Sequence, residues 1–323
     1  MDDLLILTRA IHFAATMAVS GLIFFRWIVA EPAFRKDKTF AGAYAFTDPR
    51  LERELQTIFA AALLLVVLSG VGWFALLVAT LSERPFSEAL FSEDARQVLI
   101  ATQFGEVWTA RLAVLIAMAM LVSPTSTWRS SIPLRQWLWV SLAAVLLGAL
   151  AWVGHAGAAP GALGLALLAN DCLHLVTAGA WVGGLLPLAL FLAAASRHDD
   201  PNALPLAAKV TGRFSTVGIV LVATILTTGI VNTWHLVGSV EGLIVTAYGR
   251  LLITKIALFL SMAIVASINR LRIFPRFQEQ PGALRTLQRN ALIEAALGLL
   301  IIVVVAVLGT MAPAAHANMQ HMH

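Results

Sequence analysis

The sequence predicts an all-α integral membrane protein with eight transmembrane helices, arranged as two parallel four-helix repeats in an N-out/C-out orientation. Three observations lead to this prediction: the composition, the number of long apolar segments, and a resemblance between the two halves. The chain has 323 residues, of which 59% are hydrophobic and 12% are charged, and its mean hydropathy is +0.83. A soluble domain usually carries about 25% charged residues. A water-soluble fold could not bury this much apolar surface.

Eight segments contain the roughly 20 mostly apolar residues that a helix needs to cross a bilayer. They lie near 4–30, 55–81, 107–123, 134–153, 164–195, 214–236, 250–269 and 291–311. The first segment follows an acidic start, Met1-Asp2-Asp3, whereas a cleavable signal peptide begins with a basic region. We therefore expect the first segment to be retained as a helix.

The basic residues predict the orientation in the membrane. Most of the 22 Lys and Arg residues lie in the loops after the first, third, fifth and seventh segments, and loops rich in Lys and Arg face the cytoplasm. Both termini are therefore expected on the outer side of the membrane, which for a bacterial inner (cytoplasmic) membrane is the periplasm. The outer loop 82–106 is expected to form an amphipathic helix. The basic residues form no long run, so nucleic acid is not an expected partner.

The two halves of the chain share four features in the same order, which indicates an internal duplication. His12 precedes Gly21 by nine positions, and His174 precedes Gly183 by the same spacing. The other matches pair Ser69-Gly70-Val71 with Thr228-Gly229-Ile230, Gly105 and Arg111 with Gly249 and Lys255, and Gly148 and His155 with Gly309 and His316. Because each half has an even number of helices, the repeat is parallel about an axis along the membrane normal. We expect repeats over 1–153 and 154–311, and an outer tail over 312–323.

All histidines except His198 fall at the predicted outer face. The candidate metal ligands are His12, His155, His174 and His235 in the helical region, and His316, Met319, His321 and His323 in the tail. Imidazole binds copper, zinc and iron, and thioether sulfur favours Cu(I). The set therefore predicts a copper ion, Cu(I) or Cu(II), with the tail as an auxiliary collector. Because a parallel repeat preserves depth, we expect one site built around His12 and His174.

Asp171 is a further candidate because it lies three residues before His174 and can share its helix face. Ionisable residues inside a membrane usually mark a site or a pathway. Asp171 is expected to bind the metal, to accept the second ring N–H of His174, or to cap the outer end of the fifth helix. The single cysteine, Cys172, excludes an intramolecular disulfide and a multi-cysteine metal cage.

Three motifs in the second half carry a family resemblance. They are H-x6-W-x-G-G-L-x-P from His174, T-G-x-V-N-x-W from Thr228, and Y-G-R-L-L-x-x-K from Tyr248. This region resembles the copper resistance protein D (CopD) family, and IHFAATMAVSG and FGEVWTARLA fit its longer members. The resemblance implies an inner-membrane protein that moves or takes up copper, often with a periplasmic copper-binding partner. The chain carries no fused domain of that kind, so we expect any such partner to be a separate protein.

Two other classes stay open at this point. In a b-type haem electron carrier, with haem b in place of copper, His12 and His174 would be the axial ligands. A non-transporting copper sensor or delivery scaffold would bind copper without moving it. The sequence has no nucleophile elbow, P-loop or dinucleotide fingerprint, so an enzyme is not expected.

Overall fold

The computed structural model describes residues 2–35, 48–83, 85–121, 133–154, 161–197, 203–277 and 282–315. Eight helices in these ranges are long and apolar enough to cross a membrane. They are α1 (Asp2–Phe24), α2 (Pro49–Ser82), α3 (Gln103–Leu121), α4 (Pro133–Gly148), α5 (Gly161–Ala195), α6 (Ala203–Val237), α7 (Ala247–Ile268) and α8 (Ala283–Leu308). The predicted all-α membrane class and the number of spans are confirmed.

Several helices extend beyond the apolar segments that predicted them. α2 begins six residues earlier than expected because the side chain of Asp48 accepts a hydrogen bond from Arg50 N at 2.8 Å and Pro49 fits the first turn. α6 begins at Ala203, so its first turns include the basic residues Lys209 and Arg213. Hydropathy thus locates the apolar centre of a helix, while capping and polar turns set its ends.

A short helix precedes α3 and another precedes α7. The first, Glu93–Ala101, lies within the loop expected to be amphipathic, and Ser92 Oγ accepts from Ala95 N at 3.1 Å. The second is Val240–Val245, where Ser239 Oγ accepts from Gly242 N at 3.0 Å. The predicted helix in the 82–106 loop is therefore confirmed over nine residues.

The centre of the molecule is the crossing of α1 and α5. Gly21 and Gly183 face each other there, and a Cβ atom on either glycine would collide with the backbone of the other helix. Small residues allow membrane helices to approach closely. α4 and α8 each contact both central helices, while α2 packs on α1 and α6 packs on α5. This arrangement is the one that a parallel repeat predicts, although the duplication and the sidedness of the termini stay predictions.

Candidate functional site

His174 on α5 is buried and holds one ring nitrogen in a hydrogen bond to α6. Its Nδ1 lies 2.9 Å from Thr228 Oγ1, and this hydroxyl lies 2.6 Å from the carbonyl oxygen of Thr224. Since a carbonyl only accepts, the Thr228 hydroxyl donates to Thr224 and the ring Nδ1–H donates to Thr228. The Nε2 atom therefore carries the lone pair, and no described residue hydrogen-bonds to it. It is the free ligand atom of this histidine.

Asp171 is held by a chain of two asparagine side chains. Asn170 Nδ2 donates to Asn232 Oδ1 at 2.7 Å, and Asn232 Nδ2 donates to Asp171 Oδ1 at 2.9 Å. Two of the roles considered for Asp171 are therefore corrected. Thr228, and not Asp171, accepts the ring N–H of His174. Asp171 does not cap α5, because the helix begins at Gly161.

His174 and Asp171 line a cavity of about 210 Å³ between the two halves. Its other polar residues come from α1, α6 and α7. They are Arg9, Asn232, Thr233, His235, Tyr248 and Lys255. His235 is exposed, while only 8% of His174 is exposed. The cavity therefore holds one histidine near its opening and another at depth.

Opposite charges line this cavity without pairing. Among the described residues, no ion pair joins Asp171 and Lys255, and the Lys255 ammonium has no hydrogen-bond partner. Imidazole and carboxylate groups are suitable copper ligands. Within the described ranges, however, no group of three or more His, Cys, Asp or Glu side chains is placed to hold a metal ion. The cavity thus offers separate ligand groups and not a closed metal cage.

His12 on α1 uses both of its ring nitrogens. Its Nδ1 lies 3.0 Å from Ser69 Oγ, which in turn donates to the carbonyl oxygen of Leu65. Its Nε2 accepts from Arg111 Nη2 at 2.8 Å, and Arg111 Nη1 donates to Leu146 O at 2.5 Å. A guanidinium only donates, so the Nε2 lone pair of His12 is already engaged.

The two histidines have a glycine at the same distance from the imidazole but different neighbouring side chains. A Cβ atom on Gly70 would lie 3.5 Å from His12 Cε1, and a Cβ atom on Gly229 would lie 3.5 Å from His174 Cε1. Around His12, however, the space is occupied by Trp73 and Trp108, whose ring centroids are each 5.5 Å from the imidazole. The first-half site is closed by aromatic rings, whereas the second-half site opens into the cavity.

The structure does not gather His12 and His174 around a shared partner. His12 bonds to residues of α2 and α3, and His174 bonds to α6. With its Nε2 held by Arg111, His12 is not free in this arrangement to bind copper or haem iron together with His174. The remaining candidates, His155, His316, Met319, His321 and His323, lie outside the described residues. Cys172 Sγ donates to Gly148 O at 3.3 Å, which fits a packing role.

Several residues of these sites were not identified as site residues from the sequence. In the sequence, Thr228, Arg111 and Lys255 stand out only as parts of the matches between the two halves. Asn232 stands out only as part of a family motif. The available signal was that Arg111 and Lys255 occupy matching positions inside apolar helices, where a cation needs a partner. The partners of Thr228, Asn232 and Arg111 lie on other helices, up to 99 residues away in the case of Arg111 and His12.

Eight apolar helices around a polar, histidine-containing cavity define a multi-pass membrane protein with a polar site inside its helical bundle. Comparison with known families assigns this class more closely. The family described as "Copper resistance protein D-like, N-terminal domain" matches residues 1–165, and the family described as "Copper resistance protein D" matches residues 208–308. The chain belongs to the copper resistance protein D family.

Three relatives agree with this assignment. Copper resistance protein D of Pseudomonas syringae pv. tomato is 29% identical over 98% of this chain and 99% of the relative. Inner membrane protein YebZ of Escherichia coli (strain K12) is 27% identical over 94% and 97%. Copper transport protein CutJ of Bacillus subtilis (strain 168) is 31% identical over 66% of this chain and 37% of its own length. No solved structure gives a significant match. The chain is therefore a copper-handling, multi-pass protein of the bacterial inner membrane.

Proposed function

We propose that this protein accepts copper at the outer face into the second-half cavity and moves it across or into the membrane. The observation that carries the proposal is the buried His174, whose unpaired Nε2 belongs to a side chain lining a cavity shared with Asp171 and His235. Nε2 has no hydrogen-bond partner among the described residues, and the His174 side chain faces the cavity. A copper ion at Nε2 would supply that partner.

The hydrogen bond between His174 and Thr228 prepares the imidazole ring to bind a metal ion. The Nδ1–H bond to Thr228 fixes the tautomer and the ring orientation, as residues behind a metal ligand commonly do. The exposed His235 lies two helical turns beyond Thr228 on α6 and is the proposed first contact for an arriving ion. Asp171 supplies negative charge between these two histidines.

Lys255 on the same cavity wall opposes tight retention of a cation. A transport site must bind its ion strongly enough to accept it and weakly enough to release it. The ammonium of Lys255 and the guanidinium of Arg9 raise the electrostatic energy of a bound copper ion, while the carboxylate of Asp171 lowers it. This balance, together with the absence of a three-ligand cage among the described residues, supports transit of copper over storage.

Delivery to the cavity is proposed to occur at the exposed end of α6. A separate periplasmic copper-binding protein would pass its ion to His235. The tail residues His316, Met319, His321 and His323 would act as an auxiliary collector, since mixed imidazole and thioether ligands suit copper. Removing the tail is then expected to reduce copper capture at low supply and to leave the cavity site intact.

The test is copper flux into proteoliposomes by the parent protein, His174→Ala and His12→Ala. His174→Ala should lose copper-dependent flux, because the free Nε2 is removed while alanine keeps the helix. His12→Ala should retain flux in the fraction of protein that folds, because its Nε2 is held by Arg111. Equal flux in His174→Ala and the parent would refute the proposed ligand. Copper binding without flux by the parent would instead support a sensor or scaffold.

A further inference from the structure

A second polar cluster lies at the opposite end of α5–α8 from His174. Glu294 on α8 is only 3% exposed, and its Oε1 accepts from Asn269 Nδ2 at 2.9 Å. Asn290 Nδ2 donates in turn to Asn269 Oδ1 at 2.6 Å. This directed chain of two asparagines ending on a carboxylate has the same form as the chain that holds Asp171. Each end of the second half thus carries a buried carboxylate supported by amides.

The backbone changes at this cluster. α7 passes into a π-helical turn over Asn269–Ile273, which places Asn269 at the start of the wider turn. Such turns are rare and are frequent at functional sites. Arg270 in the same turn donates from Nη1 to Ser215 Oγ at 2.8 Å. The π-helical turn therefore contains Asn269, which bonds to the Glu294 carboxylate, and Arg270, which bonds to Ser215 on α6.

These side chains line a cavity of about 330 Å³ that also contains an unsatisfied hydroxyl group. Thr211 is 6% exposed, lines the same cavity, and its Oγ1 has no hydrogen-bond partner among the described residues. No ion pair to Glu294 is formed within the described ranges, although Arg270 lines the cavity. Buried polar groups are normally satisfied. A carboxyl group and a hydroxyl that face one cavity point to a ligand between them.

The chemistry of the lining favours a proton as that ligand. No His, Cys or Met side chain lines this cavity in the described part of the chain, so the soft and imidazole ligands that copper prefers are missing. Among the described residues, Arg270 is the only other charged residue in the lining, and its positive charge opposes a metal cation. A carboxyl oxygen binds a proton without needing further ligands, and a neutral acid avoids the cost of a lone buried charge.

The Trp181 side chain lies between this cluster and a further cavity that His174 also lines. Trp181 lines both the Glu294 cavity and a further cavity of about 370 Å³ that is also lined by His174, Lys255 and Met262. His174 and Glu294 therefore belong to two cavities that share the Trp181 wall. An ion that arrives at His174 changes the electrostatic energy at the carboxyl group across that wall.

We propose that Glu294 is a proton-exchange site coupled to the passage of copper through the second half, which rests on the function proposed above. When a copper ion enters, the Glu294 carboxylic acid loses its proton to solvent at the Glu294 end of the helices. The O–H bond breaks and its electrons stay on the carboxylate, so the copper keeps its oxidation state. When the ion leaves, the carboxylate binds a proton again. For Cu(I), one positive charge enters for each proton released.

The test measures copper uptake and proton movement together in proteoliposomes that contain a pH-sensitive dye. The parent protein should show copper-dependent proton movement, and Glu294→Gln should reduce this proton signal to the level of empty vesicles. Glu52→Gln is the matched control, because Glu52 is a buried carboxylate at 5% exposure on α2 in the other half. It should keep the signal of the parent. Glu294→Asp keeps a carboxyl group and should retain coupling.

The outcomes separate the two proposals. Copper-dependent proton movement that persists in Glu294→Gln would overturn the coupling role, even if His174→Ala has lost copper uptake and thereby supported the copper site. Uptake that persists in His174→Ala would instead refute the copper site. If Glu294→Gln fails to fold, Asn269→Leu removes the donor to Glu294. An unchanged pH dependence of copper uptake in that variant would count against the proposal.

Discussion

The two buried histidines differ at one atom, Nε2. Both rings place Nδ1 against a hydroxyl, of Ser69 in one half and of Thr228 in the other. At Nε2, His12 meets the guanidinium of Arg111, whereas Lys255 occupies the matching sequence position in the second half. A guanidinium presents several donors in a fixed plane, while an ammonium is one compact charge on a flexible stem. Arg111 can therefore bond to His12 and Leu146 together, and Lys255 leaves His174 uncovered.

The hydroxyl behind His174 is expected to tune copper binding. Thr228→Val removes the acceptor of the ring N–H, and loss of such a supporting group typically weakens metal affinity about 10–100-fold. Ser69→Ala makes the corresponding change behind His12 and should leave copper affinity unchanged. Competition with a copper chelator measures both variants. Equal affinities for Thr228→Val and Ser69→Ala would contradict the assignment of the free Nε2 to His174.

Arg111 is expected to stabilise the fold. Arg111→Met removes the donors to His12 Nε2 and Leu146 O, and each buried group left unsatisfied costs about 1–3 kcal/mol. Lys255→Met removes no hydrogen bond of the described residues and should destabilise less. Thermal unfolding of both variants in detergent provides the measurement. A greater loss of stability in Lys255→Met than in Arg111→Met would contradict the stabilising role of Arg111.

The sequence identified single site residues but not their hydrogen-bond partners. His174 and Asp171 were recognisable because ionisable groups inside an apolar segment need a reason to be there. Thr228 is 54 positions from His174, and Asn232 is 61 positions from Asp171. Such pairs depend on how α5 and α6 are rotated against each other, and hydropathy does not specify that rotation.

The helices are organised around the close contact of α1 and α5. Gly21 and Gly183 occupy matching positions of the two halves and meet at the crossing. With no side chain at either position, the two backbones approach each other, and α4 and α8 can then contact both central helices. Gly21 and Gly183 therefore allow close packing of the two helices that carry His12 and His174.

Adding a methyl group at this crossing should destabilise the bundle. In Gly183→Ala the new Cβ would collide with the Met17 carbonyl oxygen, and overpacking typically costs about 1–3 kcal/mol. Gly218→Ala on α6 is the matched control, because nothing lies within 4 Å of the Cβ added there. The midpoint of thermal unfolding in detergent should fall for Gly183→Ala only. A similar midpoint for both variants would mean that the helices do not cross closely at this glycine.

The sequence predicted the number and order of helices better than their ends. Twenty apolar residues are needed to cross a bilayer, so the apolar centres stand out. The first turn of α2 depends on the Asp48 cap, and the first turns of α6 include Lys209 and Arg213 and lie before its apolar segment. These turns carry no strong hydropathy signal, and they follow from capping and from contacts with neighbouring helices.

The whole molecule combines two halves of similar plan and different chemistry. The first half fills its histidine site with Trp73, Trp108 and Arg111. The second half leaves its site open and adds the Glu294 cluster at the other end of the helices. The resemblance between the two halves of the sequence predicted the shared plan. It did not predict that the His12 site is closed and the His174 site is open. This difference comes from positions at which the two halves have different residues.

The predicted sidedness can be tested with single cysteines in a Cys172→Ser background, where serine keeps a donor to Gly148 O. Gln97→Cys lies in the short helix before α3, and Thr286→Cys lies in the first turn of α8. In intact cells an impermeant thiol reagent should label the first and spare the second, because basic loops face the cytoplasm. The reverse labelling would show that the orientation is opposite to the predicted one and that His235 lies at the cytoplasmic face.

His174, and not His12, is the histidine proposed to bind copper in the membrane. Equilibrium copper binding to a chain ending at Ala315 tests this directly, because the histidines and methionines of the tail are then absent. We expect His174→Ala to lose the copper bound by the shortened parent and His12→Ala to retain it. Loss of copper in His12→Ala with retention in His174→Ala would contradict the account.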